Sequence, residues 1–185
     1  MTGKIIDVSH QQINQLKLES EEKISELYCN NNQLTELALD NNPELTDLDC
    51  SNNQLTELDL GHSANLKKLY SYDNQLTNLT LGNNSKLKIL YCYDNQLTSL
   101  DLSHNPECEA VNCANNQLAE LDFSHNQELK ALDCSNNQLA SLDLSSNDKL
   151  ENLYCRDNQQ LATVIIAKGQ KIAISKDDHT KIIEI

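Results

Sequence analysis

Thiols are the most reactive side chains in this sequence, and six of the seven fall in one periodic column. Cys29, Cys50, Cys92, Cys113, Cys134 and Cys155 lie 21 or 42 residues apart, with Ser71 filling the gap and Val8 standing at the equivalent place nearer the N-terminus. A row of thiols suggests three chemistries: zinc binding, disulfides or a redox relay. Zinc sites need convergent ligands, usually paired as C-x2-C, and no such pair occurs. An odd number of cysteines rules out a complete disulfide framework within one chain. On adjacent parallel strands the thiol-bearing Cβ atoms would sit near the strand spacing of about 4.8 Å, wider than a disulfide prefers. The column is therefore expected to be a ladder of reduced, buried thiols acting as small hydrophobes. Cys108, at the first position of its repeat, is expected to stand in for a leucine.

The other reactive groups are also columnar. His62, His104 and His125 share a loop position, and two neighbouring imidazoles make a stray ion contact rather than a built metal site. Asp59, Asp101, Asp122 and Asp143 form one acidic column, with Glu36, Glu57 and Glu120 beside it. Carboxylates stacked at strand spacing repel, and calcium-binding repeats are glycine-rich, whereas this chain has four glycines. They are expected to be a solvated acidic surface. No phosphate-cradling glycine loop, H-E-x-x-H, G-x-S-x-G or His-activated nucleophile is present. The expectation is no enzyme, no metal and no cofactor.

Tyrosine is the remaining candidate. All six tyrosines and the single arginine lie in two columns on the Cys-bearing strand, at its fifth and seventh positions. These hold Tyr28, Tyr70, Tyr91 and Tyr154, and then Tyr72, Tyr93 and Arg156. Alternation along a strand turns those positions, and the third, away from the thiols. Tyr70, Tyr72, Tyr91 and Tyr93 are expected to form one exposed cluster, with Lys68 and Ile89 beside it. Tyr and Arg are enriched at binding hot spots because they combine contact area with a polar handle. The competing reading is that tyrosine simply suits an exposed sheet, or was copied with the repeat.

What must position these columns is a repeat. LTDLDCSNNQLTELDLGHSAN (45–65), LKKLYSYDNQLTNLTLGNNSK (66–86) and LKILYCYDNQLTSLDLSHNPE (87–107) follow one another without a gap at a period of 21. The register covers residues 24–170, and a degenerate first turn at 3–23 carries Ile6, Val8, Ile13, Leu16 and Leu18 at the apolar positions. About eight turns result, with one extra residue at Gln159-Gln160. Leucines alternate within each turn, as in Leu58-x-Leu60, the period of a half-buried strand. One turn cannot bury its own apolar face, but stacked turns share a core. Eight coils at strand spacing would make a rod roughly 35–40 Å long. Seven asparagines recur in one column where the chain must bend: Asn32, Asn53, Asn74, Asn95, Asn116, Asn137 and Asn158. Residues 171–185 leave the register and alternate in KIAIS and KIIEI, which predicts a hairpin or a pair of strands capping the C-terminal end. No comparable N-terminal cap is visible. Residues 1–185 read as a single domain.

These motifs resemble the leucine-rich-repeat family, whose pattern is L-x-x-L-x-L-x-x-N/C-x-L. The Cys at the sixth position makes the chain most similar to the short bacterial, internalin J-like type of 21 residues. The resemblance implies a solenoid of right-handed coils with a parallel sheet on the concave face and little or no helix. It also implies that the asparagine column points inward and bonds the backbone of the neighbouring coil.

Composition narrows the partners. The formal net charge is −14, which disfavours nucleic acid and favours attraction of a basic partner. No apolar run is long enough to span a membrane. The N-terminal residues lack a secretory-signal layout, so a complete chain would be cytoplasmic, and a fragment of a longer precursor would belong at the cell surface or outside it. Oligomeric state is not legible. The leading expectation is a binding module for a protein, or alternatively a glycan, and the internalin-like resemblance implies that this would serve bacterial surface recognition or adhesion. A second is a cytosolic acidic inhibitor or immunity-type protein that captures a basic partner, and a third is a spacer between domains.

Overall fold

The computed structural model describes residues 3–18, 23–39 and 42–185. Residues 19–22 of the predicted first turn lie outside that set. The strands are short: β1 (Lys4–Asp7), β2 (Ile24–Tyr28), β3 (Asp47–Asp49), β4 (Glu57–Asp59), β5 (Lys68–Tyr70), β6 (Asn78–Thr80) and β7 (Ile89–Tyr91). They continue with β8 (Ala110–Asn112), β9 (Ala131–Asp133), β10 (Ser141–Leu144), β11 (Asn152–Tyr154), β12 (Thr163–Ile166), β13 (Ala173–Ser175) and β14 (Lys181–Glu184). Among the described residues there is no helix, and none therefore crosses a membrane.

Nine strands, one per coil, form a single parallel sheet in the order β1-β2-β3-β5-β7-β8-β9-β11-β13. The register advances by 21 residues, as in Leu48 beside Leu69 and Leu69 beside Leu90. Behind it the core is a stack of columns. Leu27, Leu48, Leu69, Leu90, Val111, Leu132 and Leu153 make one, and Leu34, Leu55, Leu76, Leu97, Leu118 and Leu139 another, all buried. Each such side chain contributes about 1.5–3 kcal/mol by leaving water.

The second half of each coil is less regular. Among the described residues only β4–β6 and β10–β12–β14 pair there, and the equivalent segments of the other coils form no ladder. Glycine helps explain where pairing occurs. A Cβ at Gly82, whose φ is +59°, would lie 2.8 Å from the Gly61 Cα, so only glycine lets these two coils close.

Of the two forms expected for 171–185, the structure contains a pair of strands and no hairpin. β13 joins the long sheet beside β11 and β14 joins the short one beside β12, both in parallel. A turn at Asp177–Thr180, with the Thr180 hydroxyl donating to the Leu161 carbonyl at 2.8 Å, carries the chain from one sheet to the other. The tail is thus one more, shortened coil. Stacking on the coil beneath satisfies both strands at once, which a hairpin lying on one face would not. The extra residue at Gln159-Gln160 is absorbed in a turn, where the Leu161 N–H donates to the Asn158 carbonyl at 3.0 Å. Beyond it the register resumes with Leu142 beside Val164.

Two side-chain columns hold the bends. In the first, Asn95 Nδ2 donates to the carbonyls of Ser71 at 3.0 Å, Cys92 at 3.1 Å and Tyr93 at 3.2 Å, while its Oδ1 accepts the Leu76 N–H at 2.9 Å. Asn53, Asn116, Asn137 and Asn158 make the same four bonds, each tying two coils together. The sharp backbone turn itself falls one residue earlier. Asn31, Asn52, Asp73, Asp94, Asn115, Asn136 and Asp157 all have φ between 50° and 59°, the left-handed conformation that Asn and Asp tolerate.

The second column closes the second half of each repeat, L-x-x-L-x-L-x-x-N, at the same period: Asn84, Asn105, Asn126 and Asn147, preceded by Asn42 and Ser63. Asn126 Nδ2 donates to the carbonyls of Leu102 at 3.0 Å and Asn105 at 2.9 Å, and Asn147 repeats the pattern one coil on. The Oδ1 atoms of this column are buried without a donor.

The thiol column lies inside, with all seven cysteines free and buried. Ser71 occupies the same column, fully buried, and its hydroxyl has no hydrogen-bond partner. A buried orphan hydroxyl costs about 1–3 kcal/mol, a penalty that a thiol largely avoids. Ser71→Cys is therefore expected to stabilise the protein by about 1–2 kcal/mol. Chemical denaturation would read this as a higher midpoint at an unchanged slope, and a lower midpoint would refute it.

Candidate functional site: the tyrosine face of the long sheet

Alternation in the nine-stranded sheet sends the Leu and Cys columns inward and the fifth-position column outward. Tyr70 and Tyr91 are direct partners on β5 and β7. Their rings meet edge to face, with centroids 5.5 Å apart and planes at 79°. Two residues on, Tyr72 and Tyr93 stack with centroids 4.5 Å apart and planes at 4°. Four half-buried rings on adjacent coils thus form one platform. Lys68 and Ile89 flank it as partners in the third column. Lys68 is also paired with Asp47 at 2.9 Å, and that carboxylate holds its ammonium above the ordinary lysine range.

The other predicted members do not join the platform. Tyr28 sits on β2, with β3 between it and Tyr70, and its hydroxyl donates to Glu26 at 2.7 Å. That bond pushes the Tyr28 phenol up to about 12. Tyr154, 50% exposed, lies on β11, three strands from Tyr91, and Arg156 beyond it turns to the tail, donating from Nε to Ser175 Oγ at 2.8 Å. Asn112 and Asp133 occupy the intervening strands.

The seventh position is not uniformly outward. Ser51 is fully buried and Ala114 nearly so. They are the column neighbours of Tyr72 and Tyr93, and short side chains beside large rings lose their access to water.

The rim of the platform is acidic. Asp73 and Asp94 occupy the left-handed turn positions next to Tyr72 and Tyr93. Burial, and then repulsion from Asp94, raise the Asp73 carboxyl, while burial raises the phenols of Tyr70 and Tyr93. Asp49 lies on β3, the strand before Tyr70.

On the opposite face the acidic column has a local structural task. Asp59, Asp101, Asp122 and Asp143 each accept the backbone N–H two residues on, at 2.8–2.9 Å, shaping the turn that follows. Bonds to the Ser103 hydroxyl and N–H hold the Asp101 carboxyl below its ordinary range, and bonds to Ser124 do the same for Asp122. The D-x-S and D-x-G spacing carried this signal. Two depressions of about 930 and 290 Å³ also open on this face, lined by Glu36, Glu57 and Asp59 in the larger and Asp101, Glu120 and Asp122 in the smaller. Among the described residues no group of three or more His, Cys, Asp or Glu is arranged to hold a metal ion.

Solved structures show the same architecture. YopM, a leucine-rich effector protein from Yersinia pestis, superposes with a TM-score of 0.79 at 26% identity, over 95% of this chain and 49% of that one. This chain is a leucine-rich-repeat solenoid. The functional domain of InlJ from Listeria monocytogenes, which includes a cysteine ladder, matches this solenoid with a TM-score of 0.63 at 23% identity, over 96% of this chain and 54% of that one. Internalin C2, also from Listeria monocytogenes, gives 0.65 at 23% identity, over 88% and 71%. The solenoid thus spans about half the length of the first two structures. No protein-family model and no curated protein matches the sequence.

Proposed function

We propose that this leucine-rich-repeat solenoid is a non-catalytic recognition module whose tyrosine platform receives a basic region of a protein partner. The observation that carries the reading is the two ring pairs, each packed ring on ring yet half-open on an outward sheet face. Ring packing fixes the side chains before a partner arrives, so little rotamer entropy remains to be lost on binding. Aromatic faces attract guanidinium and ammonium groups, and the neighbouring Asp49, Asp73 and Asp94 add charge of the complementary sign. The net charge of −14 would steer such a partner inward from a distance. This favours capture of a basic protein over glycan recognition.

Replacing Tyr70, Tyr72, Tyr91 and Tyr93 together by Ser should abolish capture of the partner. Stability should fall by only about 1–3 kcal/mol, the worth of two ring pairs. Affinity capture from the source cells, comparing wild type and variant by mass spectrometry, tests this, with urea unfolding as the control. A folded variant that retains the same partner would place the site elsewhere. Binding should also weaken steeply with added salt, and a salt-independent partner would overturn the basic-region assignment.

A further inference from the structure

Two repeats share an order of side chains found in no other. LKKLYSYD (66–73) and LKILYCYD (87–94) both read Lys-x-Leu-Tyr-x-Tyr-Asp, so each coil runs from lysine across two tyrosines to aspartate. Stacking keeps the two copies in register, with Tyr70 beside Tyr91 and the Lys88 N–H donating to the Lys67 carbonyl at 2.8 Å. Lysines therefore line one rim of the platform, and Asp73 and Asp94 the other. At the rise of an extended strand the two rims lie at most about 20 Å apart.

Charge singles out the same place. Residues 66–86 hold Lys67, Lys68 and Lys86 against Asp73 alone, a formal +2, the one positive repeat between residues 24 and 170. The repeat before it, residues 45–65, carries four carboxylates and no lysine or arginine. Beyond the platform an ion ladder alternates in sign, Glu109 lying between Lys88 and Lys130 at 3.1 and 2.7 Å. On the platform rims like charges stack instead, Lys67 on Lys88 and Asp73 on Asp94. Like charges facing each other across strands cost stability, so packing alone gives no reason for them. Among the described residues Lys67 has no ion pair or side-chain hydrogen bond, and Lys88 must share Glu109 with Lys130. Nor does any lysine or arginine pair with Asp73 or Asp94 among the described residues. Both rims are short of counter-charge.

We propose, on the reading of the platform as the capture site, that the bound segment is bipolar and lies along the strands. Its basic end sits at Asp73 and Asp94, its acidic end at Lys67 and Lys88, and its apolar middle covers the rings. The tyrosines supply contact area, and the two rims fix which way round the segment lies. A uniformly basic segment would set cations against the lysine rim, where like-charge contact is penalised. The partner is thus a protein surface that carries acid and base in separate blocks, about six extended residues apart.

Fluorescence anisotropy of labelled peptides titrated with the 185-residue chain at physiological salt tests this. One peptide has a glutamate block, a leucine-alanine centre and an arginine block. A second has the same residues with glutamate and arginine alternating. The block peptide is expected to bind at least about tenfold more tightly. Lys67→Glu with Lys88→Glu should erase that preference, and so should Asp73→Asn with Asp94→Asn. Lys130→Glu, two coils beyond Lys88 in the same column, should leave it. Glutamate already stands in the lysine column as Glu109, and asparagine in the aspartate column as Asn115. Should the double glutamate variant lose cooperative urea unfolding, Lys67→Thr with Lys88→Thr replaces it, since Thr46 occupies that column. Equal affinity for the two peptide orders overturns the proposal, as does a preference that survives loss of both lysines. If an arginine-only peptide then still depends on the four tyrosines, the basic-region reading stands while the bipolar one falls. Binding of every peptide that is unchanged by the four Tyr→Ser substitutions removes both.

Discussion

Asn116→Asp is expected to destabilise the solenoid by about 4–5 kcal/mol at neutral pH, and Asn116→Ala by about 2–3. The difference follows from hydrogen-bond polarity. Asn116 Nδ2 donates to the carbonyls of Cys92, Cys113 and Ala114 at 3.0–3.2 Å, and Oδ1 accepts the Leu97 N–H at 2.9 Å. Alanine leaves those buried backbone groups unpaired. Aspartate keeps the acceptor but turns the donor into a carboxylate oxygen facing three carbonyls, a buried charge without a counter-charge. Such a carboxyl has a folded pKa raised above its unfolded value of about 3.9. Its neutral form loses no stability below that unfolded value, and the penalty grows as pH rises through the folded one. Urea unfolding of both variants at acidic and neutral pH checks this. Asp should be the worse substitution at neutral pH and should recover toward the wild type, by more than Ala does, as the pH falls. An aspartate variant as stable as wild type at neutral pH would mean that the column does not carry the bends.

The thiols of the folded protein are expected to react with an aromatic disulfide reagent at least about a hundredfold more slowly than those of the unfolded chain. Burial pushes the thiols of Cys29, Cys92 and Cys108 up to about 12 and that of Cys155 to about 11, and it raises Cys50, Cys113 and Cys134 as well. Against an ordinary value of about 8.5–9, a rise to about 12 lowers the thiolate fraction near neutrality about a thousandfold, and the rise of Cys155 to about 11 about a hundredfold, before access is considered. All seven should therefore become reactive together in denaturant, with Cys155, the least shifted of those with a value, leading if any does. Folded-state values lie above the unfolded ones, so stability is intact below about pH 9 and is lost as pH rises from there through about 12. A thiol that reacts rapidly in the folded protein, or a stability that rises between pH 9 and 11, would contradict the buried ladder.

How much of the site could be read in advance depended on the kind of question. Period alone put Tyr70, Tyr72, Tyr91 and Tyr93 on adjacent coils, because parallel stacking converts sequence spacing of 21 into spatial adjacency. It did not show that one pair is edge to face and the other stacked, since ring torsions answer to neighbours rather than to backbone register. Ser51 and Ala114 were placed outward by alternation, but are covered because large rings stand beside them. The acidic column was read as a solvated surface, when its members also hold the backbone N–H two residues on. That bond is local and legible as D-x-S.

By itself, then, the sequence determined everything that repeats: the coil, its parallel sheet, the buried leucine and thiol columns, and the asparagines at the bends. One turn's pattern, copied at a constant interval, leaves a single way to stack that buries all the apolar residues at once. Only the tertiary structure decided what does not repeat. It closed one second-half ladder, β4–β6, where glycine lies against glycine, folded 171–185 into a further coil instead of a hairpin, and sent Arg156 toward Ser175, away from the tyrosines. Those outcomes turn on contacts between particular neighbours in three dimensions, and no periodicity in one dimension encodes them.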